Sequence, residues 1–267
     1  MPKPTTVFLG EMTNPEIERH LAARGDKSMV LIPIGSTEQH GPHGPLLTDT
    51  FIPTEVCRRV ALQNGALVAP NVPYGLSYPH KGFTGVVYLR MSTFAALVED
   101  LCAQFATMGF KRIVFVNGHY DNTYAVAYAC ASAGENLPKG VRAYVVNYWD
   151  GMAPESAAEF FGPEAGLHAN KAEVSGVMTI NPDYVDLDHA TAEMPPFPEV
   201  RNVAAVHTAF FFSSPGSVYR ASRSGAWGDA REANVEYGEL YLAAVTEGTV
   251  RMLDDIERTQ AAMPDRA

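Results

Sequence analysis

The chain has 267 residues, of which 46% are apolar and 19% are charged, and its formal net charge is −10. The apolar fraction excludes a disordered polymer, and no apolar run approaches the roughly 18–20 residues of a membrane helix. The acidic balance argues against nucleic acid and anionic membranes as partners. The N-terminus turns acidic before any long apolar segment, so no secretory signal is expected and the predicted location is cytoplasmic.

The three cysteines, Cys57, Cys102 and Cys130, are far apart in the chain and lie in apolar helical patterns. They form no CxxC pair. Buried, reduced thiols are therefore predicted, which agrees with a cytoplasmic setting.

Short apolar runs alternate with helical patterns along the chain. Buried strands are predicted at residues 29–34, 66–69, 113–116 and 141–146. Helices are predicted at residues 50–62, 93–108, 123–133 and 171–180, and from 230 to between 246 and 258. This alternation is typical of an α/β fold with a mostly parallel sheet and helices on both faces. We expect a single domain over residues 1–267, with a polar C-terminal tail from about residue 259.

The segment from about residue 182 to 228 has apolar patches but little periodicity. It contains four prolines: Pro195, Pro196, Pro198 and Pro215. We predict an irregular excursion that lies near the functional site or at a subunit contact.

Polar side chains follow two of the predicted strands, where ligands bind in open α/β sheets. Glu38 and His40 follow the first strand, with Asp49 soon after, and His119 and Asp121 follow the 113–116 strand. Mixed nitrogen and oxygen donors suit Zn²⁺, Mn²⁺ or Fe²⁺ better than Ca²⁺. Five ligands are too many for one catalytic ion but suffice for two ions that share a carboxylate. Asp49, between the two loops in sequence, is the predicted bridge.

Each of these side chains also has an ordinary structural explanation when it is taken alone. Asp49 could cap the helix that follows it, and the others could satisfy the backbone of their own loops. Their joint position at strand ends favours the metal site.

Four sequence blocks, in order along the chain, resemble the creatininase (creatinine amidohydrolase) family. They are residues 33–43 followed by Asp49, residues 80–85, residues 117–122 and residues 224–229. The resemblance implies an α/β metal-dependent amidohydrolase that opens a C–N bond, commonly in a small cyclic amide. It also implies a homo-oligomer, often a hexamer, with a small molecule as substrate.

The resemblance further implies a role for individual residues. Glu38, Asp49 and His119 would hold one metal ion, while His40, Asp49 and Asp121 would hold a second one. The two divalent ions, with Zn²⁺ expected first and Mn²⁺ or Fe²⁺ as alternatives, would hold a hydroxide that attacks the carbonyl carbon. His168 would carry a proton toward the leaving nitrogen.

The chain departs from creatininase itself at two positions near this set. Asp121 replaces a glutamate, and its arm is about 1.5 Å shorter, the length of one carbon–carbon bond. Either the loop moves inward, or Glu173 takes that coordination position and becomes part of the catalytic machinery. Leu167 stands where creatininase has an acid that binds substrate, which disfavours creatinine.

Three residues are candidates for substrate binding. Trp149 follows a strand and could stack on a substrate or pack in the core, Ser77 could line the pocket mouth together with His80, and the backbone N–H of Tyr120 could hold a substrate oxygen. Two other functions remain open: a metal-dependent lactonase or peptide-trimming hydrolase on the same fold, and a non-catalytic metal-binding homologue.

Overall fold

The computed structural model describes residues 6–162, 164–194, 205, 208–212 and 214–263. Its main sheet has four parallel strands in the order β2-β1-β3-β4. The strands are β1 (Met29–Ile34), β2 (Leu67–Val68), β3 (Arg112–Asn117) and β4 (Arg142–Asn147). Ile34 pairs with Asn117, and Asn117 pairs with Asn147. The carboxyl ends of three strands therefore finish at one level, and the loops that follow them share one edge of the sheet.

The described α-helices are numbered in chain order. They are α1 (Asn14–Arg24), α2 (Thr48–Asn64), α3 (Met91–Met108), α4 (Thr123–Gly134), α5 (Pro154–Phe161), α6 (Lys171–Ile180), α7 (Ser217–Ala221) and α8 (Val235–Ala262). The five predicted helices are present with ends shifted by a few residues. Helix α8 continues to Ala262, so the predicted polar tail from about residue 259 begins within the helix.

Two apolar clusters cover the two faces of the main sheet. Leu31 and Val114 belong to the cluster that contains residues of α2, α6 and α8. Ile32 and Phe115, their neighbours in sequence, belong to the cluster that contains residues of α3 and α4. Successive strand residues point to opposite faces, so both faces need apolar side chains. The predicted parallel sheet with helices on both faces is confirmed.

A second, antiparallel sheet was not predicted. It has the order β5-β7-β6 and contains β5 (Gly166–His168), β6 (Ala192–Glu193) and β7 (Trp227–Asp229). The predicted irregular segment thus contributes two short strands, together with α7 and a π-helical turn at Thr208–Phe212. Pro195, Pro196 and Pro198 lie outside the described residues.

The predicted state of the cysteines is also found. Cys57, Cys102 and Cys130 are all free and buried. Within the described part of the chain, none of the helices combines the length and apolar character needed to cross a bilayer.

Candidate metal centre

Asp49 reaches the carboxyl edge of the sheet because two glycines let the chain approach it closely. A Cβ at Gly35, directly after β1, would lie 2.1 Å from the backbone oxygen of Asp49, and a Cβ at Gly118, directly after β3, would lie 2.2 Å from the same atom. Both strand ends therefore pack against the first turn of α2. The helix begins at Thr48, and its N-cap is Leu47, without a side-chain capping bond. Asp49 is thus not the helix cap that its sequence position also allowed.

The carboxylate of Asp49 lies between two imidazoles. Its Oδ1 is 3.1 Å from Nε2 of His40, and its Oδ2 is 2.9 Å from Nδ1 of His119. His40 donates from Nδ1 to the backbone carbonyl of Glu38 over 3.3 Å. This bond leaves Nε2 of His40 as the nitrogen that faces the cluster, which is how ligand histidines are commonly oriented.

Glu38 completes the inner part of the cluster. Its side chain is 1% exposed, and its Oε2 lies 3.4 Å from Nε2 of His119. Oε2 also accepts hydrogen bonds from the hydroxyls of Ser36 and Ser77. Ser77 is fully buried behind Glu38 and is not among the residues that line the cavity. The predicted place of Ser77 at the pocket mouth is therefore wrong, because its hydroxyl is used to hold Glu38.

The two remaining candidate ligands lie on different sides of the cluster. Glu173, in the first turn of α6, accepts a hydrogen bond from the backbone N–H of Ala169 over 2.7 Å. Its carboxylate and ring nitrogens of His40 and His168 lie within 4.8 Å of one another. Asp121 instead lies beside His119, with 3.9 Å between Oδ2 and Nε2.

Burial and mutual charge shift the pKa values of the cluster strongly. Burial raises the pKa of Glu38 to about 8, and it raises the pKa of Glu173 to about 7. Burial opposes protonation of His40, but the charge and hydrogen bond of Asp49, together with the charges of Glu173 and Glu38, outweigh it and raise the pKa of His40 to about 9. For His119 burial is likewise outweighed, by Glu38 and Asp49, and the pKa rises to about 10. The two histidines hold the pKa of Asp49 below its ordinary range despite its burial.

This donor set fits divalent cations. Four carboxylates converge on the cluster with little exposure, and such a group is costly to bury without positive charge. Among the described residues, Nε2 of His119 finds no hydrogen-bond partner although it is buried. Carboxylate and imidazole donors of this kind suit Zn²⁺, Mn²⁺ or Fe²⁺. The carboxylates are Glu38, Asp49, Asp121 and Glu173.

Two further histidines lie at the cluster. His168, on β5, places Nδ1 3.7 Å from Oε1 of Glu38, and His80 places Nε2 3.4 Å from the same oxygen. Burial lowers the pKa of both imidazoles well below the ordinary range. The sequence prediction put His80 only at the pocket mouth. Its position at the start of the 80–85 block was the available signal that it reaches the cluster.

A cavity of about 410 Å³ opens above the cluster. Glu38, Asp49, His80, His119, His168 and Glu173 form its polar floor, and its walls are mostly apolar. Tyr120 and Trp149, the predicted substrate-binding residues, are among the residues that line it. The described part of the irregular segment, which was expected near the site, contributes wall residues. These wall residues are Phe210, Phe211, Val218, Ala226 and Trp227.

A parallel sheet that carries a buried carboxylate–imidazole cluster at its carboxyl edge defines a metal-binding α/β protein of the hydrolase type. The family model for creatininase, described as creatinine amidohydrolase, matches residues 10–253. The chain belongs to the creatininase family.

Relatives and solved structures agree with this membership. Creatinine amidohydrolase of Pseudomonas putida is 32% identical over 91% of this chain and 94% of its own length. The mycofactocin precursor peptide peptidase of Mycolicibacterium smegmatis is 36% identical over 89% of this chain and 87% of its own length. A mutant creatininase of the Zn-Zn type superimposes with a TM-score of 0.80 at 31% identity, and a manganese creatininase with 0.79 at 31%; each comparison covers 94% of this chain and 98% of the other.

Proposed function

We propose that the protein is a dinuclear metal-dependent amidohydrolase that hydrolyses a C–N bond in a small, cyclic amide. The observation that carries the proposal is the carboxylate of Asp49, whose two oxygens face different imidazoles. That arrangement suits a bridge between two ions. Zinc is the proposed metal, with Mn²⁺ and Fe²⁺ as alternatives, since relatives exist in Zn-Zn and Mn forms.

For the ligands we propose the division that the family resemblance implies, with one change. Glu38, Asp49 and His119 would hold one ion, and His40 and Asp49 would hold the other. For the last position of the second ion we propose Glu173 and not Asp121. A carboxylate oxygen of Glu173 lies within 4.8 Å of a ring nitrogen of His40, whereas Asp121 lies beside His119. These positions support the choice of Glu173.

The residues around the ions would divide the chemistry. Two divalent cations in this position supply Lewis acidity for a carbonyl oxygen and lower the pKa of a water molecule. His168, which is neutral at physiological pH because of its burial, would accept a proton at Nδ1 and return it to the leaving nitrogen. Trp149 and Tyr120 would orient the substrate from the cavity wall.

The cavity favours an uncharged substrate with an apolar part. Its described lining residues include no lysine or arginine. Lys171 lies 3.8 Å from Glu232 and stacks over the ring of Tyr237, so it is engaged elsewhere. A substrate carboxylate would therefore find no basic side chain among the described lining residues, and only the proposed metal ions could hold it.

Peptide trimming is the second candidate function. Two observations favour it: the aromatic wall could accept an apolar peptide side chain, and one relative is a peptide peptidase. A lactonase remains an alternative within the same chemistry, and a non-catalytic metal-binding homologue is the alternative outside it.

A substrate panel with and without metal tests the proposal. Zinc-loaded protein would be assayed against cyclic amides, lactones and short peptides, then again after chelation and after zinc is restored. We expect turnover of a cyclic amide that chelation abolishes and zinc restores. Turnover of peptides alone would favour the second candidate, and turnover of nothing, with fewer than one metal ion per subunit, would contradict both.

Family likeness also supports the proposal of a homo-oligomer. Light scattering on the purified protein tests it, and a monomer at micromolar concentration would contradict it.

A further inference from the structure

Gln39 lies between the two cavity histidines, and its side-chain amide has a fixed orientation. Oε1 accepts a hydrogen bond from the backbone N–H of Gly41 over 2.9 Å. A backbone N–H can only donate, so the oxygen of the amide must be on this side. The amide nitrogen then faces the backbone oxygen of Gly225 and Nδ1 of His80, each at 2.9 Å.

The amide nitrogen of Gln39 determines the tautomer of His80. It has two hydrogens, and the Gly225 oxygen, a pure acceptor, takes one of them. The other is donated to Nδ1 of His80, which must therefore carry a lone pair. A neutral His80 then holds its proton on Nε2, the nitrogen that lies 3.4 Å from Oε1 of Glu38 at the cavity floor.

The backbone of Gln39 determines the tautomer of His168. Nε2 of His168 lies 2.8 Å from the Gln39 carbonyl oxygen and must donate to it. Nδ1 of a neutral His168 therefore carries the lone pair and faces the cluster. Nε2 of His168 also lies 3.1 Å from the Gln39 amide nitrogen, but both nitrogens carry hydrogen, so this contact is not a hydrogen bond.

Gly225 provides the space that this arrangement needs. Its φ is +88°, and a Cβ there would lie 1.9 Å from Oε1 of Gln39. A side chain at position 225 would displace the amide. The glycine of the 224–229 sequence block is thus explained by its contact with Gln39 and not by a contact with the metal ligands.

We propose that Gln39 is a positioning residue that fixes both cavity histidines as Nε2–H tautomers, so that His80 presents an N–H and His168 presents a lone pair. Their ring centroids are 4.6 Å apart, and both rings line the cavity. A hydrogen-bond donor and a proton acceptor therefore lie side by side. The donor suits a carbonyl oxygen of the substrate, and the acceptor suits a proton in transfer. This use in catalysis rests on the function proposed above, whereas the tautomers do not.

Neutron diffraction on deuterium-exchanged crystals of the zinc-loaded protein tests the proposal, because it locates the ring deuterons without any turnover. We expect a deuteron on Nε2 and none on Nδ1 in both His80 and His168. In the Gln39→Glu variant a carboxylate replaces the amide donor, so the deuteron of His80 moves to Nδ1. His168 is held by the backbone carbonyl of residue 39, and its deuteron stays on Nε2.

Three results would overturn the proposal: a deuteron on Nδ1 of His80 in the wild type, zinc bound to Nε2 of His80, or an unchanged His80 in Gln39→Glu. Gly225→Ala is a second variant should Gln39→Glu not fold. There we expect the displaced amide to lose its contact with His80, so that Nδ1 of His80 no longer accepts from residue 39. Loss of amide hydrolysis with these tautomers intact would contradict the proposed function alone.

Discussion

Asp49 is the residue on which the proposed metal centre depends. Its sequence position between two polar loops led to the prediction that it bridges two ions, and the structure places its carboxylate between His40 and His119. Its buried place in the first turn of α2 could not be predicted, because it results from the close packing of Gly35 and Gly118 against the helix backbone. Its low pKa follows from two imidazoles that hold its negative charge.

Glu38→Gln is expected to remove one ion of the pair. A neutral amide oxygen is a weaker ligand than a carboxylate for a divalent cation, so the zinc content should fall by about one ion per subunit. Elemental analysis after dialysis measures it. Glu247→Gln is a matched control, because Glu247 is 69% exposed beside Arg251. An unchanged zinc content in Glu38→Gln would contradict the assignment.

Glu173→Gln and Asp121→Asn should differ in their effect on the second ion. If Glu173 is a ligand, its substitution removes about one zinc per subunit. If Asp121 only supports His119, its substitution keeps both ions and lowers zinc affinity by roughly 10–100-fold, as for outer residues of metal sites. Competition with a chelator of known affinity measures both. The reverse pattern would make Asp121 the ligand.

At the scale of elements, the approach of β3 to α2 determines the geometry of the site. In Gly118→Ala, the new Cβ would meet the Asp49 backbone and the ring of Pro53. We expect unfolding free energy to fall by about 1–3 kcal/mol, the usual cost of overpacking. Zinc affinity should fall as well, since Asp49 moves.

Gly134→Ala is the matched control for that substitution. Gly134 is the last residue of α4, and a Cβ there would meet nothing within 4 Å. Alanine in a helix is favoured over glycine by about 1 kcal/mol, so this variant should be neutral or slightly more stable. Urea denaturation of both variants measures the difference. Equal stabilities would contradict the close approach of β3 to α2.

The elements that the sequence predicted are helices with a long apolar period and strands with a continuous apolar run. The main strands, such as residues 29–34, are buried on both faces and appear as continuous apolar runs. The second sheet was missed because β5, β6 and β7 have only two or three residues each and, unlike β2, none of them lies in a continuous apolar run. Helix α1 was missed because none of its residues is buried, so no apolar face marks it.

The candidate site was predicted in the same uneven way. Glu38, His40 and His119 follow strand ends, Asp49 lies in the first turn of the helix after the first loop, and their convergence could be expected from the parallel topology. The place of His80 could not be expected from the topology, because a long loop between β2 and α3 carries it. Tertiary packing alone brings that loop beneath Glu38.

At the scale of the whole molecule, the metal-free cluster should make stability depend on pH. The folded pKa values of His40 and His119, about 9 and about 10, exceed the ordinary value of 6.5. The two histidines contribute their full stabilisation of the folded state below about pH 6.5. This contribution is lost as the pH rises through their folded-state pKa values. The pKa of Glu38 is raised from its ordinary 4.5 to about 8, so this group also makes the stability fall as the pH rises.

The thermal midpoint of metal-free protein should therefore fall between pH 7 and about 9.5. In zinc-loaded protein the ions take the place of these protons, so the thermal midpoint should fall less over the same pH range. Calorimetry on both forms in the same buffers gives the comparison. If the thermal midpoint of the metal-free form falls no more with pH than that of the zinc-loaded form, these groups do not bind protons as described.

Anomalous diffraction at the zinc edge, on crystals grown with zinc, tests whether Asp49 bridges two ions. We expect two peaks roughly 3.5–4 Å apart, with the carboxylate of Asp49 touching both. Glu38 and His119 should contact one ion, and His40 the other. A single peak, or two peaks of which one does not contact Asp49, would contradict this bridging role.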